Sequence, residues 1–382
     1  MRSELLHWIE IDSSALRHNL SLFREIVPPS TKVMFVVKAN AYGHGLEEVT
    51  RLAPTLPIDV LGVHSLDEAV RVREAGWTGP VYVLGYIATA RLGEALDHDL
   101  DVTIVSLAML EAAEATGRSH GDRIRCHLKV ETGTHRQGMD PSELGSCLEL
   151  LRQSQGTTLA GLSMHFANIE DTTDSSFARA QLESFVQRTA GIVEEFPGAV
   201  RHAACSAAAL TLPETSFDLV RVGIGAYGYW PSKETRVSFR TRAGEGTLRP
   251  VLSWKTRIGQ VREIPSGAYV GYGCTERVAR DTRMAVLPVG YSDGFDRGLS
   301  RIGHVLVRGR RARVLGRICM NIVMVDVTDI PDAAPEDEVV LLGRSESESI
   351  DANDLAALLQ TLSYEILARI SPTLPRFVAQ PE

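Results

Sequence analysis

Short β-branched runs separated mostly by amphipathic stretches fill the first part of the chain, and this alternation limits its fold more than any other feature. The runs are KVMFVVK (32–38), DVLGVH (59–64), PVYVLGY (80–86), DVTIVS (101–106), IRCHLKV (124–130), LAGLSMH (159–165), VRHAACS (200–206) and LVRVGIG (219–225). Strand-like runs alternating with helical periods mark βα units and a parallel sheet. Ser65 and Glu68 form a capping-box pattern before LDEAVRVREAG, and SFARAQLESFVQRTAGIVEEF reads as a long helix. These units predict an N-terminal (β/α)8 barrel of the TIM type. A doubly wound sheet, built from the same units, stays open at this point.

With 382 residues the chain is long for one domain. After Tyr227 the segment GYWPSKETRVSFRTRAGEGTLRP carries Pro, Gly and charge without helical periodicity, and reads as a linker. Beyond it, VLSWKTRIGQVREI, AYVGYG, RMAVLPVGY, HVLVRGRRARVLGRI and NIVMVDVTDI are strand-like, and SIDANDLAALLQTLSYEILARI supplies one or two helices. The expected division is residues 1–240 as the barrel and 241–382 as a mostly β domain. A net charge of −8 argues against nucleic acid as a partner, and no run is suited to a membrane. The N-terminus lacks the apolar core of a signal peptide, so a cytoplasmic location is expected. The five cysteines form no CxxC pair, which predicts reduced thiols and no zinc site.

In a parallel barrel the C-terminal strand ends converge on one mouth, where the sites of this fold lie. Here those ends carry Lys38, His64, Tyr86, Ser106, Lys129, His165, Ser206 and Arg221. Lys38 closes the apolar run FVVK. It is either a solvated strand-end lysine or a desolvated amine whose lowered pKa lets it attack a carbonyl. Gly223, Gly225 and Gly228 form G-x-G-x-x-G, but the run continues into Tyr229, Trp230 and Pro231 rather than into a dinucleotide-binding helix. These glycines offer either a plain turn or a close backbone approach to a phosphate, with Ser206 adding a hydroxyl.

From VVKANAYGHG onward the sequence resembles the alanine racemases. The likeness runs in order through LKVETGTHRQGM, MHFAN, LVRVGIGAYGYWPS, VGYGCT, LPVGYSDGF, GRICMN and LSYEILARISP, over essentially the whole chain. The resemblance implies a pyridoxal 5'-phosphate enzyme, an N-terminal barrel with a C-terminal β domain, and a homodimer with shared sites. By motif, Lys38 is similar to the lysine that carries the cofactor and acts as one catalytic base. Tyr272 is similar to the second base, supplied by the partner. Tyr42, Ser206, Tyr364 and the backbone of Gly223 and Ile224 match the phosphate cradle, Arg221 the residue facing the pyridine nitrogen, and His165 one lining the cofactor. Arg136 resembles the arginine that orients the second base, and Lys129 the lysine often carbamylated to hold it. Met320 resembles the backbone contact for the substrate carboxylate, and Tyr291 an entrance residue. Asn321, Thr373 and Cys205 depart from the family's usual Asp, Arg and Asn, which bears on substrate affinity and subunit contact.

Racemisation removes a proton from Cα and returns one to the opposite face, so it needs two groups on opposite sides. Free Lys and Tyr titrate near about 10. Nearby positive charge, with Arg136 and Arg221 as candidates, must therefore lower them, and burial lowers the lysine further. Arg221 can only donate; facing the ring nitrogen, it leaves that nitrogen unprotonated, weakens the electron sink and favours quick reprotonation. Without the resemblance, Arg221 also reads as half of an ion pair with Asp218, Tyr272 as a packing aromatic, Met320 as core filler, and Lys129 and Glu131 as a surface pair. His64, His127 and His135 read as satisfied polar residues. The resemblance implies interconversion of L- and D-alanine, feeding D-alanine to peptidoglycan synthesis. A serine or broad-specificity racemase and a non-catalytic pyridoxal-phosphate-binding barrel are the alternatives.

Overall fold

The computed structural model describes residues 4–244 and 246–379. Its first strand, β1 (His7–Asp12), belongs to a β-rich unit. The next eight strands are β2 (Lys32–Val36), β3 (Val60–Val63), β4 (Val81–Val83), β5 (Leu100–Ile104), β6 (Ile124–Lys129), β7 (Thr157–Ser163), β8 (Val200–His202) and β9 (Leu219–Val222). They form one parallel sheet in the order β8-β7-β6-β5-β4-β3-β2-β9. A bridge between Cys205 and Arg221 brings β9 beside the chain leaving β8, so the sheet is a nearly closed barrel rather than a doubly wound one.

The capping box of Ser65 and Glu68 opens the helix Leu66–Glu74, and Ser106 caps Leu107–His120 through the Met109 amide. Ser106 thus has a structural task rather than a place among the reacting groups. The segment read as a linker contains a helix, Lys233–Ala243, whose start is fixed by Ser232 accepting from the Thr235 amide. Its composition hid it: a helix that is polar on most sides carries little apolar period, and the cap is the remaining signal.

The chain groups into two compact units. The barrel unit takes Ala15–Ala41 and Val49–Arg249; the β-rich unit takes the N-terminal segment to Ser14, Tyr42–Glu48 and everything from Pro250. The expected single division at 240 is therefore replaced by an interleaved one. β1 pairs antiparallel with β10 (Leu252–Arg257) and parallel with β20 (Arg376–Ala379), because its apolar face completes the β-rich unit. Between them lie β11 (Gln260–Ile264), β12 (Tyr269–Val270), β13 (Glu276–Arg277), β14 (Thr282–Leu287), β15 (His304–Val307), β16 (Arg310–Leu315), β17 (Val323–Asp326), β18 (Glu338–Ser345) and β19 (Glu348–Ile350). They add to a ten-stranded sheet ordered β11-β14-β17-β16-β15-β18-β10-β1-β20, with β19 on β18; β12 and β13 pair separately. Two helices, Ala352–Leu359 and Ser363–Ala368, close the unit. Among the described residues no helix is long and apolar enough to cross a membrane.

Candidate active site

The barrel interior is polar where most barrels pack aliphatic layers. Strand alternation puts Asp101 and Thr103 of β5 on one face, as it does Arg125, His127 and Lys129 of β6. Towards the mouth stand Lys38, two residues beyond β2; Lys129, the last residue of β6; His165, two beyond β7; and Arg221 in β9. Burial lowers the Lys38 amine below its usual value, the charge of Arg136 adds to this, Glu68 opposes it and Arg221 lowers it further. Lys129 lies well below the usual lysine range, from burial first and then from Arg221 and Arg136. Burial, followed by Arg221 and the neighbouring cations, pushes His165 down to about 2, so its ring is neutral.

Lys38 opens a turn of unusual backbone. Ala39, Asn40, Ala41 and Tyr42 all have φ between 52° and 55°, a left-handed turn without glycine. Each such residue costs about 1–2 kcal/mol, so the surroundings must hold it. The Ala39 amide donates to Glu68 Oε1 at 2.6 Å, and the Ala41 amide to the Val37 carbonyl at 2.8 Å. Glu68, legible in the sequence only as a helix cap, also accepts from the His64 amide at 2.7 Å. It ties the lysine's turn to the next βα unit.

Arg221 is buried and makes no ion pair with Asp218, which instead accepts from the Arg201 amide at 2.7 Å. Its Nη1 donates to His202 Nδ1 and to the His202 carbonyl, both at 2.8 Å. Its Nη2 donates to the carbonyls of Met164 and Ala203 at 2.9 Å and lies 3.5 Å from His165 Nδ1. These contacts use the terminal nitrogens. Among the described residues they leave Nε as a donor for a bound acceptor. The Ser206 hydroxyl accepts from the Gly223 amide at 3.0 Å and the Gly225 amide at 3.3 Å, which joins the serine and Gly223-Ile224 segments of the expected cradle. Gly225 admits no side chain, since a Cβ there would lie 2.5 Å from Phe23.

Arg136 is exposed on the loop after β6, and Glu131 accepts from the Thr134 amide at 2.7 Å rather than pairing with Lys129. His64 and Tyr86 are exposed.

The remaining expected residues belong to the β-rich unit. Tyr42 and Tyr364 approach each other with ring centroids 6.1 Å apart. Gly43 beside them has φ 81°, and a Cβ there would lie 2.0 Å from the Leu367 carbonyl. Tyr272 sits at the tip of the β12–β13 hairpin between Gly271 (φ 72°) and Gly273 (φ 78°), and is 71% exposed. Tyr272, Tyr291, Arg317, Met320, Asn321 and Ile322 are among the residues lining a cavity of about 490 Å³. Asn321 Nδ2 donates to Ser292 Oγ at 2.8 Å, and that hydroxyl donates to the Met320 carbonyl at 2.8 Å. The Asn in place of the family's usual Asp thus fixes the direction of this chain. Thr373 bonds the Ser371 hydroxyl at 2.8 Å.

The site offers a partly buried amine whose charged form is disfavoured, a donor-only guanidinium and a hydroxyl flanked by amides; such a set fits an aldehyde with an aromatic nitrogen and a phosphate. Family models for the alanine racemase N-terminal and C-terminal domains match residues 11–231 and 251–378. The alanine racemase of Leptospira interrogans serovar copenhageni is 38% identical over 99% of this chain and 97% of that protein. That of Desulforamulus reducens is 38% identical over 97% of this chain and 98% of that protein. Among solved structures, the alanine racemase of Streptomyces coelicolor A3(2) matches all of both chains at 33% identity with a TM-score of 0.90. That of Clostridium difficile 630 matches at 30% identity, with a TM-score of 0.90 over 97% of this chain and 95% of its own.

Proposed function

Because the chain belongs to the alanine racemase family, we propose that it interconverts L- and D-alanine with pyridoxal 5'-phosphate by a two-base mechanism, as a cytoplasmic homodimer that supplies D-alanine for peptidoglycan. The observation that carries this reading is the barrel mouth, where a desolvated Lys38 amine lies in the field of Arg221, a buried guanidinium without a carboxylate partner among the described residues.

Pyridoxal phosphate, when bound, supplies an electron sink that acidifies the Cα–H of an amino acid joined to it. Lys38 would hold the cofactor and, in its neutral form, take or return a proton at Cα from one face. Arg221 Nε would donate to the ring nitrogen; because a guanidinium gives no proton away, that nitrogen stays unprotonated. By donating without giving up a proton, Arg221 would keep the sink weak and so favour return of the proton to Cα over decarboxylation and transamination. Ser206 and the Gly223 and Ile224 amides would hold the phosphate together with Tyr42 and Tyr364, and His165 would line the cofactor. Arg136 and the Met320 backbone would receive the substrate carboxylate side. A neutral Lys129 amine is the form that adds carbon dioxide, in keeping with the carbamylation the family suggests.

The partner subunit's Tyr272 would serve the opposite face. The exposure of Tyr272 on its hairpin supports this, since a side chain standing out from its own unit is open to the site of a partner. Lys38→Ala should remove the near-visible absorbance of the lysine-linked cofactor. Tyr272→Phe should abolish racemisation while the cofactor stays bound. A panel of enantiopure amino acids, followed by chiral analysis, should show alanine as the preferred substrate. Near-normal turnover of both alanine enantiomers by Tyr272→Phe would refute the two-base reading.

A further inference from the structure

Below the barrel mouth, Arg221 is joined in a continuous line to three side chains that the mechanism above does not use: the buried His202 and His127 and the partly exposed Asp101. Arg221 Nη1 lies 2.8 Å from His202 Nδ1, His202 Nε2 lies 3.0 Å from His127 Nδ1, and His127 Nε2 lies 3.3 Å from Asp101 Oδ2. We propose that Asp101 is a positioning residue for the reaction: acting through His127 and His202, it fixes the direction of this hydrogen-bond line and the charge felt by Arg221, and so sets the donor strength Arg221 presents to the cofactor's ring nitrogen. This rests on the reading of Arg221 given above.

The proton positions follow from one premise. A guanidinium has donors only, so His202 Nδ1 must accept. His202 then carries its proton on Nε2 and donates to His127 Nδ1. His127 in turn carries its proton on Nε2 and donates to Asp101. Every bond points the same way, from the cation at the mouth to the carboxylate near the base of the barrel. A doubly protonated His127 would force His202 to place a proton against Arg221 Nη1, two donors 2.8 Å apart. Burial and the charge of Arg221 hold His202 well below the usual histidine range, in keeping with a neutral ring. Burial raises the Asp101 carboxyl, but hydrogen bonds from His127 and Arg125 and the charge of Arg125 oppose it and hold the group below its usual value. Bonds in such a line polarise one another, so a fixed anion at one end strengthens the donors along it.

The surroundings are built to hold the rings. Tyr82 packs on His127 with centroids 4.4 Å apart and stands edge-on to His202 at 5.5 Å. Thr103 bonds the Tyr82 hydroxyl at 2.7 Å. Gly161 leaves the space for the His127 ring, since a Cβ there would lie 2.3 Å from Nδ1. At the base, Arg125 bonds both Asp101 and Asp99, which anchors the carboxylate.

The test uses long-range ¹H–¹⁵N NMR of the histidine rings in the cofactor-free protein, and the ring-nitrogen resonance of bound ¹⁵N-pyridoxal phosphate in the loaded one. In the wild type, His127 and His202 should both be neutral and protonated on Nε2. Asp101→Asn should disturb both tautomers, move the ring-nitrogen resonance, and lower kcat by roughly 3- to 30-fold with little change in KM; Asp101→Glu should restore part of each. A wild-type His202 protonated on Nδ1, or an imidazolium at either position at pH 7, would overturn the proposal without any variant. Arg221→Lys separates the two readings. If it moves the ring-nitrogen resonance and Asp101→Asn does not, the proposal fails and the reading of Arg221 stands; if Arg221→Lys leaves it unmoved, both fail.

Discussion

Gly161→Ala tests whether the barrel interior is organised around the His127 ring. Gly161 is an ordinary strand residue, so its replacement by alanine should, on conformational entropy alone, stabilise the protein by about 0.4–1 kcal/mol. The geometry predicts the reverse. The new methyl would lie 2.3 Å from His127 Nδ1 and 2.8 Å from the Val200 carbonyl, against about 3.5 Å for ordinary contact. The ring would have to retreat by about 1 Å, but it is bonded on both sides, to His202 at 3.0 Å and Asp101 at 3.3 Å, and stacked on Tyr82. Overpacking costs about 1–3 kcal/mol and a buried polar group left without its partner a similar amount. The net expectation is a loss of about 2–4 kcal/mol, read as a lowered urea midpoint of the cofactor-free protein. In a double-mutant cycle with His127→Ala, the effects should fall well short of additive, because removing the ring removes the clash. A Gly161→Ala protein as stable as the wild type or more so, or strict additivity in the cycle, would refute the argument.

Two further outcomes follow from the site. Arg136→Gln removes one of the charges that disfavour the protonated Lys38 amine. The rate at which the cofactor-free protein condenses with pyridoxal phosphate should rise with pH to a plateau whose midpoint lies below 10.5 in the wild type and moves up in the variant; a midpoint that moves down or stays would contradict the assigned cause. Asn321→Asp turns the donor to Ser292 into an acceptor, so the Ser292 hydroxyl is drawn away from the Met320 carbonyl. Losing about 1 kcal/mol of hydrogen bonding should raise KM for alanine about fivefold with kcat little changed, and an unaltered KM would remove this chain from substrate binding.

Some of this was legible residue by residue. The eight barrel strands could be read because most are short β-branched runs followed by a helical period, and Ser65 with Glu68 because a capping box is a local pattern. The helix Lys233–Ala243 was not legible as a helix, since its polar faces carry little period and its one clear signal is the Ser232 cap. His202 and Asp101 gave no signal either: their partners lie 75 and 26 residues from them along the chain, and hydrogen-bond direction has no spacing rule at that range.

The chain's own order of residues determined its periodicities, its helix starts, and a run of motifs that named a family and candidate groups for its chemistry, because these depend on neighbours along the backbone. Tertiary structure alone decided that β1 joins the strands from the far end of the chain, that Glu68 secures a left-handed turn after Lys38, and that Arg221 faces histidines and carbonyls instead of Asp218. Those outcomes arise where distant strands bring charges and lone pairs within hydrogen-bonding reach in a buried space, and the cost of leaving any of them unmatched selects the arrangement.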